Sequence, residues 1–186
     1  MTPTITHIND LVERCRHGDQ RAQMEIYDRY YKAMYNTAYR ITGHSAEAED
    51  IMQEAFLSAF TKIESFQGSS TFGAWLKRIV VNESLTAYKK IAKLGEVSYN
   101  DELKNETDTG GIAMDENDQN NQKVRMILEQ IKSLKDNYRL GLTLHLIEGY
   151  DYEEICEIMN ISYANCRTMI SRAKESLRKK LEHYGK

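Results

Sequence analysis

Apolar residues recur three or four apart over most of this chain, the spacing of helices with one buried face, and the spacing breaks down once, in the middle. From Asn9 to about Lys93 they run Leu11, Val12 and Cys15, then Ile26, Tyr27, Tyr30, Met34, Ala38 and Ile41, which predicts two successive helices ended by Gly18 and Gly43. Ser45 is placed to cap a third helix through Ala48, Ile51, Met52, Ala55, Phe56, Ala59 and Phe60. Glu47, Glu49 and Asp50 fall in its first turns, where the helix dipole favours negative charge. Glu64 to Thr71 reads as a loop. Thr71 then caps a fourth helix with Phe72, Trp75, Leu76, Ile79, Val80 and Leu85 on its apolar side, turning basic at Lys89, Lys90 and Lys93.

Between about Gly95 and Gln122 the stretch is polar and acidic, holds Gly110-Gly111, and shows no periodicity, which reads as a flexible linker. The helical spacing returns from Lys123 at Val124, Ile127, Leu128, Ile131 and Leu134, and again around Leu140, Leu142, Leu144 and Leu146, stopping at Gly149. No repeat or β-alternation of convincing length occurs. The expected fold is therefore all-α, with two small helical domains over residues 1–94 and 123–186 joined by a linker over 95–122. A chain of 186 residues is long enough for two such modest cores.

Asp151 followed three residues later by Glu154 is the reciprocal capping pattern that opens a helix, here carrying Ile155, Cys156, Ile158 and Met159. Asn160-Ile161-Ser162 makes a short turn, and Ser162 is positioned to cap a longer, basic helix from Tyr163. Two helices so joined spell helix-turn-helix. In that motif the start of the second helix enters the major groove, offering Tyr163, Asn165, Arg167, Thr168, Ser171 and Arg172. Cys166, Met169, Ile170, Ala173 and Leu177 fall on the core side. Arg reads guanine bidentately, Asn, Ser and Thr take base edges or phosphates, and Lys174 and Arg178 suit the DNA backbone. On these residues alone, a solvated basic helix at the end of a bundle is the competing reading.

The net charge of −3 argues against a nucleic-acid partner only as an average. Glu96 to Asp118 holds many carboxylates and one base, Lys104, whereas the last twenty residues carry Arg167, Arg172, Lys174, Arg178, Lys179, Lys180 and Lys186. Local charge, not the average, sets phosphate affinity. Cys15, Cys156 and Cys166 are odd in number and widely spaced, so neither a disulfide framework nor a zinc knuckle is expected. They read as reduced, mostly structural thiols. With no apolar run near the roughly 18 residues of a membrane span and no signal-peptide pattern, the expected location is cytoplasmic, without membrane insertion. His7, His17, His44, His145 and His183 form no metal-ligand spacing, and no P-loop or dinucleotide signature is present, so no cofactor, metal or catalytic residue is expected.

The run from Ala48 to Phe56, AEDIMQEAF, followed by the run from Phe66 to Asn82, FQGSSTFGAWLKRIVVN, resembles region two of the sigma-70 family. More narrowly, it is similar to the extracytoplasmic-function (ECF) class, whose typical text is AEDxxQExF and then FxGxSxFxxWLxxIxxN. Tyr138-Arg139, Glu148 to Ile155, Ile161-Ser162 and Ser171 to Lys174 with Leu177-Arg178 resemble region four. Regions one and three of larger sigma factors have no counterpart, as in the minimal class.

The resemblance implies a non-enzymatic sigma factor that binds core RNA polymerase, its β′ and β subunits, and directs initiation by reading −10 and −35 promoter elements. Glu49, Asp50, Gln53, Glu54 and Phe56 would meet the polymerase. Phe66, Gln67, Gly68, Ser69, Ser70 and Thr71 would capture a flipped −10 base, with Lys77, Arg78 and Asn82 near the melted strand. An extruded base needs a pocket, polar edges and a stacking surface, which a Gly- and Ser-rich loop between aromatics can supply. Trp75, on the apolar face with Leu76 and Ile79, reads as core. Tyr163, Asn165, Arg167, Thr168, Ser171, Arg172 and Lys174 would read the −35 element. The family pattern also implies an inhibitory anti-sigma factor, membrane-associated in its usual form.

The sequence departs from that pattern with Cys156 where relatives usually carry Ala, and with Tyr163-Ala164-Asn165-Cys166 where they usually read Val-Gly-Thr-Val. These changes adjoin the −35 readers. A helix-turn-helix regulator without sigma activity is the alternative. It accounts for the C-terminal half and leaves the N-terminal match unexplained. A helical adaptor that binds only proteins would leave Arg167 and Arg172 without a role.

Overall fold

The computed structural model describes residues 7–93 and 119–184, which divide into two compact units on either side of the boundary between Gly111 and Ile112. All regular structure among the described residues is helical. The expected linker lies outside the described residues except for its last turn.

The N-terminal unit consists of α1 (Ile8–Arg16), α2 (Gln20–Thr42), α3 (Ser45–Thr61), a 3-10 turn (Ile63–Ser65) and α4 (Phe72–Lys93). Helices α2, α3 and α4 pack on one another and α1 packs on α2. Ala22, Ala38, Ala48, Ala55 and Ala59 are fully buried, which lets the helix backbones approach closely around Ile26, Ile41, Phe72, Leu76 and Val80. Asp19 begins α2 by accepting the amides of Arg21 and Ala22 at 2.9 and 3.3 Å. Gly43 ends it at φ 77°, with its N–H on the Tyr39 carbonyl.

Two local expectations are corrected. His44, not Ser45, holds the cap position of α3, without a side-chain cap bond, because the left-handed turn at Gly43 leaves one extended residue before helical geometry resumes. The segment expected as loop from Glu64 begins as a 3-10 turn, since Ile63 is drawn into the core.

The C-terminal unit consists of α5 (Gln119–Lys132), α6 (Asp136–Leu142), a π segment (Thr143–Ile147), α7 (Tyr152–Met159) and α8 (Tyr163–Tyr184). Helix α5 starts a turn ahead of Lys123, because its first residues carry no apolar position to announce it. Helix α8 packs on α5, α6 and α7, burying Cys166, Ile170, Ala173 and Leu177 against Leu140, Leu142, Leu144 and Ile155. Gly141 permits the close approach of α6: a Cβ there would come within 2.7 Å of Met169 Cε and 3.1 Å of Ile170 Cδ1.

Candidate nucleic-acid interface

In the C-terminal unit α7 and α8, the two helices of the expected helix-turn-helix, are set by short-range hydrogen bonds. Asp151 accepts the Glu154 amide at 2.8 Å while Glu154 accepts the Asp151 amide at 2.9 Å, so the expected capping box is formed. Helix α7 stops at Asn160, in the left-handed conformation at φ 52°, a geometry Asn tolerates better than most residues. Ser162 Oγ accepts the Asn165 amide at 3.2 Å and starts α8.

With one side of α8 buried, the other is presented outward. Tyr163, Asn165, Arg167, Thr168, Ser171, Arg172 and Lys174 are all exposed. An open groove of about 750 Å³ is lined by Tyr152, Tyr163, Ala164, Arg167, Thr168, Ser171 and Arg172. Asn165 and Lys174 stand outside that lining. Tyr152 was missed in the sequence because it belongs to the preceding helix. Its ring meets Tyr163 edge-on at 6.2 Å and His145 at 5.0 Å, and His145 Nδ1 lies 3.1 Å from the Tyr150 carbonyl. Two guanidinium groups beside hydroxyls and aromatic rings can form bidentate and single hydrogen bonds to base edges and phosphates.

In the N-terminal unit the candidate is the loop Gln67 to Thr71, exposed throughout. Both its ends are fastened. Phe66 is 6 % exposed and meets Phe72 edge-on at 5.5 Å, and Trp75 packs on Phe66 at 5.4 Å and on Phe72 at 5.6 Å. Trp75 is partly buried against the core, and the buried Phe66 ring anchors the loop from inside. Arg16 Nη2 donates to the Phe66 carbonyl at 2.5 Å, and Thr71 Oγ1 accepts the Ala74 amide at 3.3 Å as the expected cap. Gly68 sits at φ 72° with open space around it, so backbone conformation, not crowding, calls for glycine. From the loop an exposed stripe continues along α4 through Arg78, Asn82, Thr86, Lys89 and Lys90. Lys77 is half-buried beside it.

The acidic helix α3 turns Glu49, Asp50, Gln53 and Glu54 outward, with Gln53 Nε2 donating to Glu49 Oε1 at 3.4 Å. Phe56, on the same helix, is 3 % exposed and packs on Tyr27 at 4.8 Å, so it faces the core. The apolar residue on the outer face is Leu57, 62 % exposed and one turn beyond Gln53. Its i+4 spacing from a polar position was the available signal.

Family models match the chain twice, Sigma-70 region 2 over residues 26–93 and Sigma-70, region 4 over residues 125–177. The chain is 32 % identical over 180 residues to ECF RNA polymerase sigma factor SigW of Bacillus subtilis, covering 94 % of this chain and 96 % of that one. It is 33 % identical over 178 residues to the ECF RNA polymerase sigma-E factor of Escherichia coli, covering 92 % and 93 %. Among solved structures, RpoE in complex with the anti-sigma factor NepR from Bartonella quintana aligns with a TM-score of 0.53 at 20 % identity, over 86 % of this chain and 96 % of that one. CnrH in complex with the cytosolic domain of CnrY aligns with a TM-score of 0.51 at 20 % identity, over 93 % and 96 %. At that identity the structural likeness speaks for the fold.

Proposed function

Because the chain belongs to the sigma-70 family, as an ECF RNA polymerase sigma factor, we propose that it docks on core polymerase through α3 and reads promoter DNA at two places, the Gln67–Thr71 loop and α8. One observation carries this reading: a single chain presents both an exposed, polar loop fastened by buried rings and a helix-turn-helix with a basic groove. A regulator that only binds DNA has no use for the first.

Glu49, Asp50, Gln53 and Glu54 supply the polar part of the polymerase contact on the β′ side and Leu57 its apolar centre, with Phe56 holding the helix from behind. At the −10 element an extruded base enters the loop beside Gln67, Ser69 and Ser70, while Arg78 and Asn82, with Lys77, track the strand. At the −35 element Arg167 and Arg172 read base edges. Thr168, Ser171, Asn165 and Tyr163 complete the contact, Lys174 takes phosphate, and Tyr152 closes the groove wall. Residues 1–94 and 123–186 act as separate reading domains, and residues 95–122 set the span between them on the β and β′ surfaces. Tethering on one enzyme raises the effective concentration of each domain, so neither needs high affinity alone.

The protein acts in the cytoplasm as an initiation factor, without catalysis of its own. Among the described residues no helix is long and apolar enough to cross a membrane. A membrane-associated anti-sigma factor holds it inactive by covering the polymerase-facing surfaces, a reading supported by exposed Leu57 on α3 and exposed Val124, Met126 and Ile127 on α5.

The test is run-off transcription from genomic fragments with sigma-free core polymerase. Discrete transcripts with the wild-type chain, lost in an Arg167→Ala, Arg172→Ala double variant, are expected. No transcript together with no binding to core polymerase would leave a helix-turn-helix regulator as the better reading.

A further inference from the structure

In the C-terminal unit three rings form a row that ends at the start of α8. His145, in the π segment, has Nδ1 3.1 Å from the Tyr150 carbonyl. A carbonyl only accepts, so that nitrogen carries the hydrogen and the imidazole is fixed to backbone. Tyr150 is itself tied back, its amide donating to the Leu144 carbonyl at 2.9 Å. Tyr152, the first residue of α7, packs on the His145 ring at 5.0 Å. Tyr163, the first residue of α8, meets Tyr152 at 6.2 Å with the rings 63° apart, the edge-to-face arrangement that aromatic pairs favour. Braced in this way, Tyr163 is still 48 % exposed. It offers a held aromatic surface at a position where relatives usually carry Val.

The groove grades along α8. Tyr152, Tyr163 and Ala164 line its start, and Arg167, Thr168, Ser171 and Arg172 line the rest. In the major groove, base pairs present hydrogen-bonding groups and one apolar group, the 5-methyl of thymine. The polar stretch has the donors for guanine, whereas the aromatic start finds apolar area to bury only at that methyl. The first helix of such a motif crosses the DNA backbone while the start of the second enters the groove, which sets Tyr152 towards the phosphates and Tyr163 towards base edges.

We propose that Tyr163, braced by Tyr152, is a specificity-determining residue that takes the methyl group of a thymine in the −35 element, close to the guanine read by Arg167. The proposal rests on the reading of α8 given above and deepens it. Tyr163 and Arg167 are four residues apart, on one face and about 6 Å apart along the helix axis. Base pairs stack roughly 3.4 Å apart, so the thymine lies within two pairs of that guanine. The ring makes this contact, and the phenol hydroxyl has no part in it.

The experiment uses the full chain on core polymerase with a promoter found by run-off transcription. Each −35 thymine, on either strand, is replaced singly by deoxyuridine, which removes the methyl and keeps every hydrogen-bonding group, and holoenzyme affinity is measured by competition. Expected is a loss of about 4-fold at one thymine within two pairs of the guanine whose substitution Arg167→Ala no longer senses, the effect of burying one methyl-sized group. Tyr163→Phe should keep that loss. Tyr163→Val, with the melting curve of the wild type by circular dichroism, should bind thymine and deoxyuridine alike. An element without thymine in that span, equal binding of the two bases by the wild type, or a loss that persists in Tyr163→Val overturns the proposal. So does a Tyr163→Phe chain that loses as much affinity as Tyr163→Val, which would assign the contact to the hydroxyl. In each of these cases the reading of α8 stands if the Arg167→Ala, Arg172→Ala variant loses transcript. If that variant transcribes as the wild type does, the reading of α8 falls and the thymine contact with it.

Discussion

In the N-terminal unit the proposed reader is a loop, and in the C-terminal unit it is a helix, and the two depend on their cores in opposite ways. The Gln67–Thr71 loop is held from outside itself, by buried Phe66 and Phe72, by partly buried Trp75 and by an arginine from α1. Helix α8 supplies its own backbone hydrogen bonds and needs only one face buried against small aliphatic and thiol side chains. A loop reader is therefore as stable as the ring cluster beneath it. A helix reader can lose its surface chemistry without losing its shape.

The sharpest way to break that contrast is to remove a ring. Phe72→Ala should cost the N-terminal unit about 3–5 kcal/mol, the usual range for a buried Phe, and abolish −10-dependent transcription. Trp75, the chain's one tryptophan, makes its fluorescence a reporter of that unit alone during denaturation. The C-terminal unit should melt as before by helical circular dichroism, and a shift of both transitions would contradict the separation. At the other reader, Arg172→Ala should weaken −35 fragment binding by about 1–3 kcal/mol, the discrimination of one bidentate contact, with no change in either melting transition. Asp151→Ala should lower the C-terminal unit's stability by about 1 kcal/mol through loss of a capping side chain and leave the tryptophan signal unmoved.

The smallest expected effect is a pH dependence confined to the N-terminal unit. The Arg14 hydrogen bond, together with the amides of Ala22 and Arg21, holds the Asp19 carboxyl below its ordinary value of 3.8. A carboxyl lowered in the folded state stabilises above its unfolded value and loses that contribution as pH falls through the folded one. Asp19→Asn should therefore flatten the acid end of the tryptophan-detected stability curve while keeping a side chain able to cap α2. An unchanged slope would show that Asp19 carries no part of it.

The capping side chains at Thr71, Asp151 and Ser162 were legible because each acts within three residues of itself, where sequence pattern and geometry are nearly the same thing. The inward set Cys166, Ile170, Ala173 and Leu177 was legible for a similar reason, since helical spacing fixes the side. What was not legible depends on partners distant in the chain. Phe56 and Phe66 sit in motifs associated with binding, and only the packing of Tyr27, Phe72 and Trp75 turns them inward. Tyr152 reaches the groove from another helix. The π segment over Thr143–Ile147 changes the hydrogen-bond step without altering the run of leucines that signals a helix.

The bond from Arg16 to the Phe66 carbonyl has a consequence in time. These residues are fifty positions apart, whereas the caps of the helix-turn-helix are three apart. During synthesis α1 leaves the ribosome long before its partner loop exists and must wait for α2 and α3 to bring that loop back to it. The helix-turn-helix, though made later, can take shape as soon as it emerges, so of the two proposed readers the one encoded earlier is the one whose completion depends on the longer closure.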